Sequence, residues 1–271
     1  MTYVAMDPAL ISPTELAARP SENLLIVQVT SRPVYDAAHV PGAVNVEPRE
    51  LVSGVPPATG RLPDRARLTA LFRRIGYTHG AEVVTLDDEG GGWAGRFAWT
   101  LDVIGNNTWR YLDGGLHAWH AAGLPLSRES STRPATDVDI EIHTGPIAEA
   151  DEILSALDDP GFLVWDCRSA EEFAGRKVAA ARAGHIPGAV NLDWLELMDR
   201  GRQLRLIEGV EALLDRHGIT PDRDIVTHCQ THHRSGLTYM TARLLGFPRI
   251  RAYHGSWSEW GNRFDTPVET S

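Results

Sequence analysis

One pattern occurs twice along this chain of 271 residues. In each copy an apolar run leads through a turn to a His-(Val/Ile)-Pro-Gly-Ala-Val-Asn segment, and two further segments follow in the same order. The matched pairs are 39–45 with 185–191, 82–87 with 224–229, and 113–119 with 254–260. A repeat of this kind predicts one folding unit used twice. We expect a first domain at 1–126, a polar linker at 127–145 and a second domain at 146–271.

Each half alternates short apolar runs with helical patterns. Runs such as 24–29 and 162–165 lack polar alternation, which is typical of buried parallel strands in βαβ units. The fold class is therefore α/β, with two tandem domains that each form a parallel sheet flanked by helices. A helix is predicted over 235–245, with Ser235 as its N-cap and Gly246 at its end.

The composition excludes several classes of partner. The chain has 26 Lys and Arg against 36 Asp and Glu, a formal net charge of -10, so no nucleic-acid partner is expected. Two cysteines are too few for a disulfide scaffold and fit a reducing compartment. The first 13 residues lack the basic start of a secretory signal, and no apolar run has the length of a membrane span. We expect a cytoplasmic monomer with no membrane partner.

The loop between the run 225–227 and the predicted helix contains the candidate catalytic residues. It places Cys229 at the carboxyl end of a strand and facing the start of a helix, where backbone N–H groups and the helix dipole favour an anion. The same field favours thiolate over thiol, and Arg234 adds a permanent positive charge. Further donors are Gln230, Thr231, His232, His233 and Ser235. An isolated buried cysteine would be a packing residue, but this clustering predicts a sulfur nucleophile.

The first half differs from the second at the matching loop. Asp87 occupies the position of Cys229, within an acidic and glycine-rich stretch that has no thiol. One loop is therefore equipped for nucleophilic chemistry and the other is not. We expect the first domain to be non-catalytic and to act as a scaffold.

These features together resemble a known family. Tandem halves, the repeated Pro-Gly-Ala-Val-Asn segment, a single loop cysteine in the second half and Asp87 in the first are similar to a two-domain rhodanese, or thiosulfate sulfurtransferase. The loop Cys-Gln-Thr-His-His-Arg-Ser-Gly at 229–236 resembles the bacterial type of Azotobacter and Pseudomonas.

The resemblance implies a ping-pong sulfur transfer without a separate cofactor. Cys229 would attack the outer sulfur of thiosulfate, release sulfite and pass the sulfur of its persulfide to cyanide or a thiol acceptor. Arg234 would bind the sulfonate end of the donor, and Trp194 would form a wall of the pocket. The implied substrate-binding set is Arg234, Gln230, Thr231, His232, His233, Ser235 and Trp194.

Two departures from the vertebrate members concern donor binding. Those proteins have a lysine two residues after the cysteine and an arginine after the Asp-x-Arg segment, where this sequence has Thr231 and Glu172. Donor binding is therefore expected to rely on Arg234, the histidines and the backbone.

Alternative activities are distinguished by the loop. Phosphatases of the same fold use Cys-x5-Arg, one residue longer than the interval from Cys229 to Arg234, which favours sulfur over phosphate. Cys229 and His232 could chelate a metal, but no second pair of ligands at suitable spacing follows, so no metal is expected. A sulfur-relay protein and a 3-mercaptopyruvate sulfurtransferase remain open.

Several residues outside the loop are expected to support the site by packing, ion pairing or closing the pocket. Cys167 follows a strand and is interpreted as a packing residue, whereas Asp166 and Arg168 are expected to form an ion pair. Trp93 and Arg96 come from the matching loop of the first half, and we expect them to close the pocket from that side.

Overall fold

The computed structural model describes residues 9–20 and 24–270. The segment 1–8, on which most of the signal-sequence expectation falls, lies outside the described residues. Two five-stranded sheets account for the strands of the two halves, together with one small hairpin.

The first sheet is parallel throughout and has the order β1-β5-β4-β2-β3. Apolar side chains fill its strands, which is why they lie between helices. The strands are β1 (Ala9–Ile11), β2 (Leu24–Val29), β3 (Val44–Val46), β4 (Glu82–Leu86) and β5 (Arg110–Leu112). The helices are α1 (Pro13–Ala17), α2 (Arg32–Ala37), α3 (Arg65–Arg74), α4 (Gly92–Val103) and α5 (Gly115–Ala121), with a 3-10 turn at Pro48–Leu51.

The second sheet repeats this order as β6-β12-β11-β7-β8, and all of its pairs are parallel. An antiparallel hairpin, β9 with β10, is an addition of this half. The strands are β6 (Ile147–Ala148), β7 (Phe162–Asp166), β8 (Val190–Asn191), β9 (Met198–Asp199), β10 (Arg205–Leu206), β11 (Asp224–His228) and β12 (Ile250–Tyr253). The helices are α6 (Ala150–Ala156), α7 (Ala170–Phe173), α8 (Val210–Arg216), α9 (Arg234–Leu244) and α10 (Ser256–Trp260), with 3-10 turns at Trp194–Leu197 and Arg200–Arg202. The predicted α/β class with two parallel sheets is confirmed.

The two halves meet where α4 packs against α9. A Cβ on Gly95 would lie 2.2 Å from the carbonyl oxygen of Gly236, and a Cβ on Gly236 would lie 2.4 Å from the backbone nitrogen of Arg96. Cβ atoms essentially never come within 3.0 Å of a non-bonded heavy atom, so the two helix backbones can touch only because both positions are glycine. This close approach brings the first-half loop at 87–92 beside the second-half loop at 229–233.

Helix α9 begins one residue earlier than predicted. Its N-cap is His233, which forms no side-chain capping bond, and its first residue is Arg234. The predicted capping role of Ser235 is wrong because the hydroxyl of Ser235 points back into the loop, where it bonds to His232 and Cys229. Within the described residues, no helix is long and apolar enough to cross a membrane.

Candidate active site

Cys229 lies directly after β11 at the carboxyl edge of the second sheet, and only 1% of its surface is exposed. The hydroxyl of Ser235 donates to its Sγ at 3.5 Å, and the backbone N–H of Ser235 is directed at the same sulfur. The thiol of Cys167 is also within hydrogen-bonding contact of it. The sulfur is therefore surrounded by donors.

The pKa of the Cys229 thiol lies well below its ordinary value. Burial alone favours the neutral thiol, but the hydrogen bond from Cys167, the positive charge of Arg234 and the two donors of Ser235 outweigh it. The resting nucleophile is thus a thiolate.

His232 holds Ser235 in place. Its backbone is left-handed, with φ of 53°, and its ring Nδ1 lies 2.7 Å from the Ser235 hydroxyl oxygen. Burial and the nearby Arg96 cation keep the pKa of His232 well below its ordinary value, so the ring is neutral. Because the Ser235 hydroxyl donates to sulfur, its oxygen accepts from Nδ1–H, which places the single ring proton on Nδ1.

Arg234 is engaged by a carboxylate. Its two terminal nitrogens donate to the two oxygens of Glu172 at 2.7 and 2.9 Å. Although burial opposes ionisation, the Arg234 hydrogen bonds and charge hold the pKa of Glu172 down at about 2. The sequence assigns Arg234 to the sulfonate of the donor, but in this structure Glu172 occupies both positions that would bind it.

A second guanidinium, that of Arg96 in α4, approaches the loop from the first half. The side chain is fully buried, donates to the carbonyl oxygens of Leu51 at 2.6 Å and His232 at 3.5 Å, and lies over the ring of Trp99 at 4.6 Å. Among the described residues no carboxylate forms an ion pair with it. Burial lowers the pKa of Arg96 to about 9, and the Cys229 charge acts in the opposite direction. Arg96 is thus charged at neutral pH, and the negative charge of a Cys229 thiolate favours its charged form.

His233 links the two halves. Its ring stacks on Trp93 of the first half at 4.4 Å between centroids and lies 5.6 Å from the ring of Trp194. Its Nε2 also pairs with Glu89. Trp93 of the first half and Trp194 of the second, both predicted to border the pocket, are thus brought together around the ring of His233.

The remaining loop residues face other parts of the molecule. The Gln230 amide donates to the carbonyl of Ala179 at 2.9 Å, so it does not point at the sulfur. The backbone of Thr231 abuts Gly60 of the first half, where a Cβ would lie 2.0 Å from the Thr231 carbonyl oxygen. No three His, Cys, Asp or Glu side chains of the described chain are grouped so as to hold a metal ion.

The corresponding loop of the first half shows what this backbone does to an anion. The carboxylate of Asp87 accepts four backbone N–H groups at 2.9 to 3.2 Å, from Glu89, Gly90, Gly91 and Ala94. Burial and the charge of Glu89 nevertheless raise the pKa of Asp87 to about 6. The loop thus forms a ring of donors around one buried oxyanion, which is the geometry of an anion hole.

Comparison with known proteins identifies the family. The family described as "Rhodanese-like domain" matches twice, at residues 12–122 and 149–263. The chain belongs to the rhodanese family. The resemblance noted from the loop residues is therefore confirmed.

Similar proteins extend over almost the whole chain. A thiosulfate sulfurtransferase of Azotobacter vinelandii is 50% identical over 270 residues, covering 99% of this chain and 100% of that protein. Its namesake in Pseudomonas aeruginosa is 48% identical and covers 97% of each chain. A sulfur carrier protein of Thermus thermophilus, TtuD, is 30% identical and covers 87% of this chain and 86% of its own.

Solved structures agree on the fold. An anaerobic ergothioneine biosynthesis enzyme from Chlorobium limicola, crystallised with trimethyl histidine, superposes with a TM-score of 0.86 at 21% identity, covering 97% of this chain and 70% of that one. At this identity the likeness concerns the rhodanese fold alone.

One side chain near Cys229, that of Cys167, has a role that the sequence reasoning missed. Cys167 was assigned to packing, and it is buried, yet its thiol also contacts the nucleophile. Asp166 and Arg168 form the expected ion pair at 2.6 Å, both buried. The signal for Cys167 was available, since both cysteines follow strands that are neighbours in a parallel sheet, and the ends of such strands meet at one edge.

Proposed function

We propose that this rhodanese transfers sulfane sulfur from thiosulfate to a thiophilic acceptor, cyanide or a thiol, through a persulfide on Cys229. The observation that carries the proposal is a buried thiolate surrounded by donors, in the same loop position where the first half holds the carboxylate of Asp87. The names of the two relatives at about half identity support the same activity.

In the first half-reaction the Cys229 thiolate attacks the outer sulfur of thiosulfate. A new S–S bond forms to Sγ, the bond between the two thiosulfate sulfurs breaks, and its electron pair leaves with sulfite. The persulfide anion is then stabilised by the N–H and O–H of Ser235 and by the charges around the loop. In the second half-reaction the acceptor attacks the outer sulfur, and the thiolate is regenerated.

The donor is a dianion, and two guanidinium groups lie close enough to select it. Arg96 is buried and permanently placed, whereas Arg234 is held by Glu172. We propose that Arg234 exchanges Glu172 for the sulfonate when thiosulfate enters. Since Cys229 is only 1% exposed, this exchange would also open a path to the sulfur. Trp194, His233 and Thr231 would border the path, with Gln230 outside it.

The test is a direct search for the intermediate. Incubation with thiosulfate is expected to release one sulfite per chain and to add the mass of one sulfur atom to the peptide that contains Cys229. Cys229→Ser is the matched control, because it keeps the size of the side chain and removes the nucleophile. An adduct found on the Cys167 peptide alone would refute the assignment.

A second candidate is delivery of the sulfur to a protein acceptor, which the likeness to the sulfur carrier protein TtuD supports. A mercaptopyruvate donor is the other variant of the same chemistry. Parallel assays with thiosulfate and 3-mercaptopyruvate, with cyanide as acceptor, distinguish the donors. A monomeric state, a cytoplasmic location, the absence of a separate cofactor and the domain limits at 126 and 146 stay predictions.

A further inference from the structure

The two cysteines of this chain occupy neighbouring positions on neighbouring strands. Asp166 pairs with His228 in the parallel ladder of β7 and β11, and the next residues are Cys167 and Cys229. The N–H of Cys167 donates to the carbonyl oxygen of His228 at 3.0 Å, so the ladder continues to this row. Adjacent strands are about 4.8 Å apart. That spacing falls within the Cα separation of about 4.4–6.8 Å that a disulfide requires.

The side chains of the pair share one buried space. Cys167 is fully buried, Cys229 is 1% exposed, and their thiols are in hydrogen-bonding contact. Burial and the adjacent Cys229 sulfur raise the pKa of Cys167 well above its ordinary value, so Cys167 keeps its proton while Cys229 is ionised. A protonated thiol therefore faces the sulfur that the proposed reaction converts to a persulfide.

A persulfide has two sulfurs that a thiol can attack, and position decides between them. An external acceptor reaches the outer sulfur. Cys167 lies beside Cys229 at the ends of neighbouring strands, on the side of Sγ, which is the inner sulfur of the persulfide. We propose that Cys167 is a resolving cysteine, which discharges the Cys229 persulfide as hydrosulfide and leaves a Cys167–Cys229 disulfide when no acceptor is present. This inference rests on the proposed function, because it requires the persulfide.

The step is balanced without an added oxidant. Cys167 loses its proton and forms a bond from its sulfur to Sγ of Cys229, while the bond between Sγ and the outer sulfur breaks. The outer sulfur leaves with that electron pair and takes the proton, so it is reduced to hydrosulfide while the two thiols are oxidised to a disulfide. A dithiol then restores both cysteines by exchange and is itself oxidised to a disulfide. The full cycle converts thiosulfate and a dithiol into sulfite, hydrosulfide and the oxidised dithiol.

The surroundings of the loop favour departure of the outer sulfur. The Ser235 donors and the buried Arg96 cation that stabilise an anion on the persulfide also stabilise hydrosulfide as it forms. Cys167 itself carries the proton that the departing sulfur takes, so the proposed transfer needs no separate base. The chain would thus produce sulfide from thiosulfate as a further activity.

The experiment is a single turnover with the full-length reduced protein and no thiol in the buffer. Excess thiosulfate is added and removed, and sulfite, sulfide and intact mass are followed over time. We expect sulfite first, with the mass of one sulfur gained, and then an equal amount of sulfide with loss of two hydrogens relative to the reduced chain. Peptide mapping without reductant is expected to show Cys167 joined to Cys229.

The matched control is Cys167→Ser, which keeps a hydrogen-bond donor of similar size. It is expected to retain the persulfide and to release less than a tenth of the sulfide per persulfide formed. Equal sulfide release from Cys167→Ser, or a wild-type persulfide that persists without a disulfide, would overturn the inference while leaving the proposed function intact. If neither protein releases sulfite or gains sulfur, the proposed function fails, and this inference fails with it.

A second measurement tests the geometry independently of the persulfide. Diamide, a thiol oxidant, is added to the reduced wild-type protein under native conditions. We expect one intramolecular disulfide between Cys167 and Cys229 that dithiothreitol reverses. Two free thiols after this treatment would overturn the inference, since the pair could then not reach bonding distance.

Discussion

Replacement of Arg96 by methionine tests whether the first domain contributes directly to the nucleophile. Arg96 is a fully buried guanidinium, its acceptors are carbonyl oxygens, and no carboxylate of the described residues pairs with it. Methionine keeps much of the length of the side chain and removes the charge. If the Cys229 thiolate is the compensating anion, the pKa of Cys229 must rise in the variant.

The size of the effect follows from Coulomb's law. Two unit charges about 8 Å apart attract each other by about 2 kcal/mol at an effective dielectric constant of about 20, and this sets the scale of the expected coupling. That energy corresponds to a rise of about 1.5 pKa units for Cys229. The thiolate fraction at moderately acidic pH would fall accordingly, and so would the rate of persulfide formation.

The fold should tolerate the change. Burial lowers the pKa of Arg96 to about 9, so the charged form is disfavoured in the folded protein by several kcal/mol. A base with a depressed pKa binds fewer protons when folded, so this unfavourable contribution is largest below pH 9 and is relieved as the pH rises from there toward the ordinary pKa of arginine. Loss of the hydrogen bond to Leu51 costs about 1–3 kcal/mol and offsets part of the gain.

The assay is the ultraviolet absorbance of the thiolate as a function of pH, with Cys229→Ser as the blank. In Arg96→Lys, which keeps a positive charge, the pKa of Cys229 is expected to lie between its values in the wild type and in Arg96→Met. Arg74→Met removes an arginine that pairs with Glu50 near the surface and serves as the matched control. A folded Arg96→Met protein with an unchanged Cys229 pKa would refute the proposed electrostatic coupling.

Three further changes test other contacts of the site. Ser235→Ala removes a hydroxyl donor 3.5 Å from the sulfur, and it is expected to raise the pKa of Cys229 by about 1 unit in the same absorbance titration. An unchanged pKa would show that the Ser235 hydroxyl does not stabilise the thiolate. Glu172→Gln weakens the hold on its arginine partner and removes a buried negative charge. The KM for thiosulfate, measured from initial rates, should therefore fall about tenfold. A higher KM would contradict this and would mean that Glu172 orients the arginine for the donor. Gly95→Ala places a Cβ 2.2 Å from a carbonyl oxygen of α9, and it is expected to lower the free energy of unfolding, measured in urea, by about 3 kcal/mol. Gly145→Ala, whose Cβ would have no atom within 4 Å, is the control and should change the free energy of unfolding little. Equal stabilities of the two variants would contradict the close helix contact.

The architecture and the position of the nucleophile were within reach of sequence reasoning. The repeat predicted two units, and the two sheets have the same strand order because equivalent apolar runs form equivalent strands. Cys229 could be placed at a strand end before a helix because both flanking elements have clear periodicity and a clear end.

The partners of the charged side chains could not be predicted from the sequence. Glu172 and Arg234 are 62 residues apart, and nothing in the local pattern of either indicates the other. Arg96 could not be assigned from its position in the sequence either, since its significance depends on the fold, in which no carboxylate of the described residues pairs with it. Ion pairs between distant segments of a chain are set by tertiary packing. Sequence spacing therefore identifies the charged groups, while the fold decides which of them are free to bind a donor.

The two copies of the domain surround the buried anion at the same loop position in different ways. In the first copy the anion is the carboxylate of Asp87, covalently fixed and held by four N–H groups. In the second copy the anion is the Cys229 sulfur, which must accept and lose another sulfur, so its surroundings must stabilise charge without holding the atom as tightly. A buried cation meets that requirement better than further hydrogen bonds, because Coulombic attraction falls off slowly with distance. Arg96 supplies this cation from the first copy, and the glycine contact between α4 and α9 is what brings it close enough.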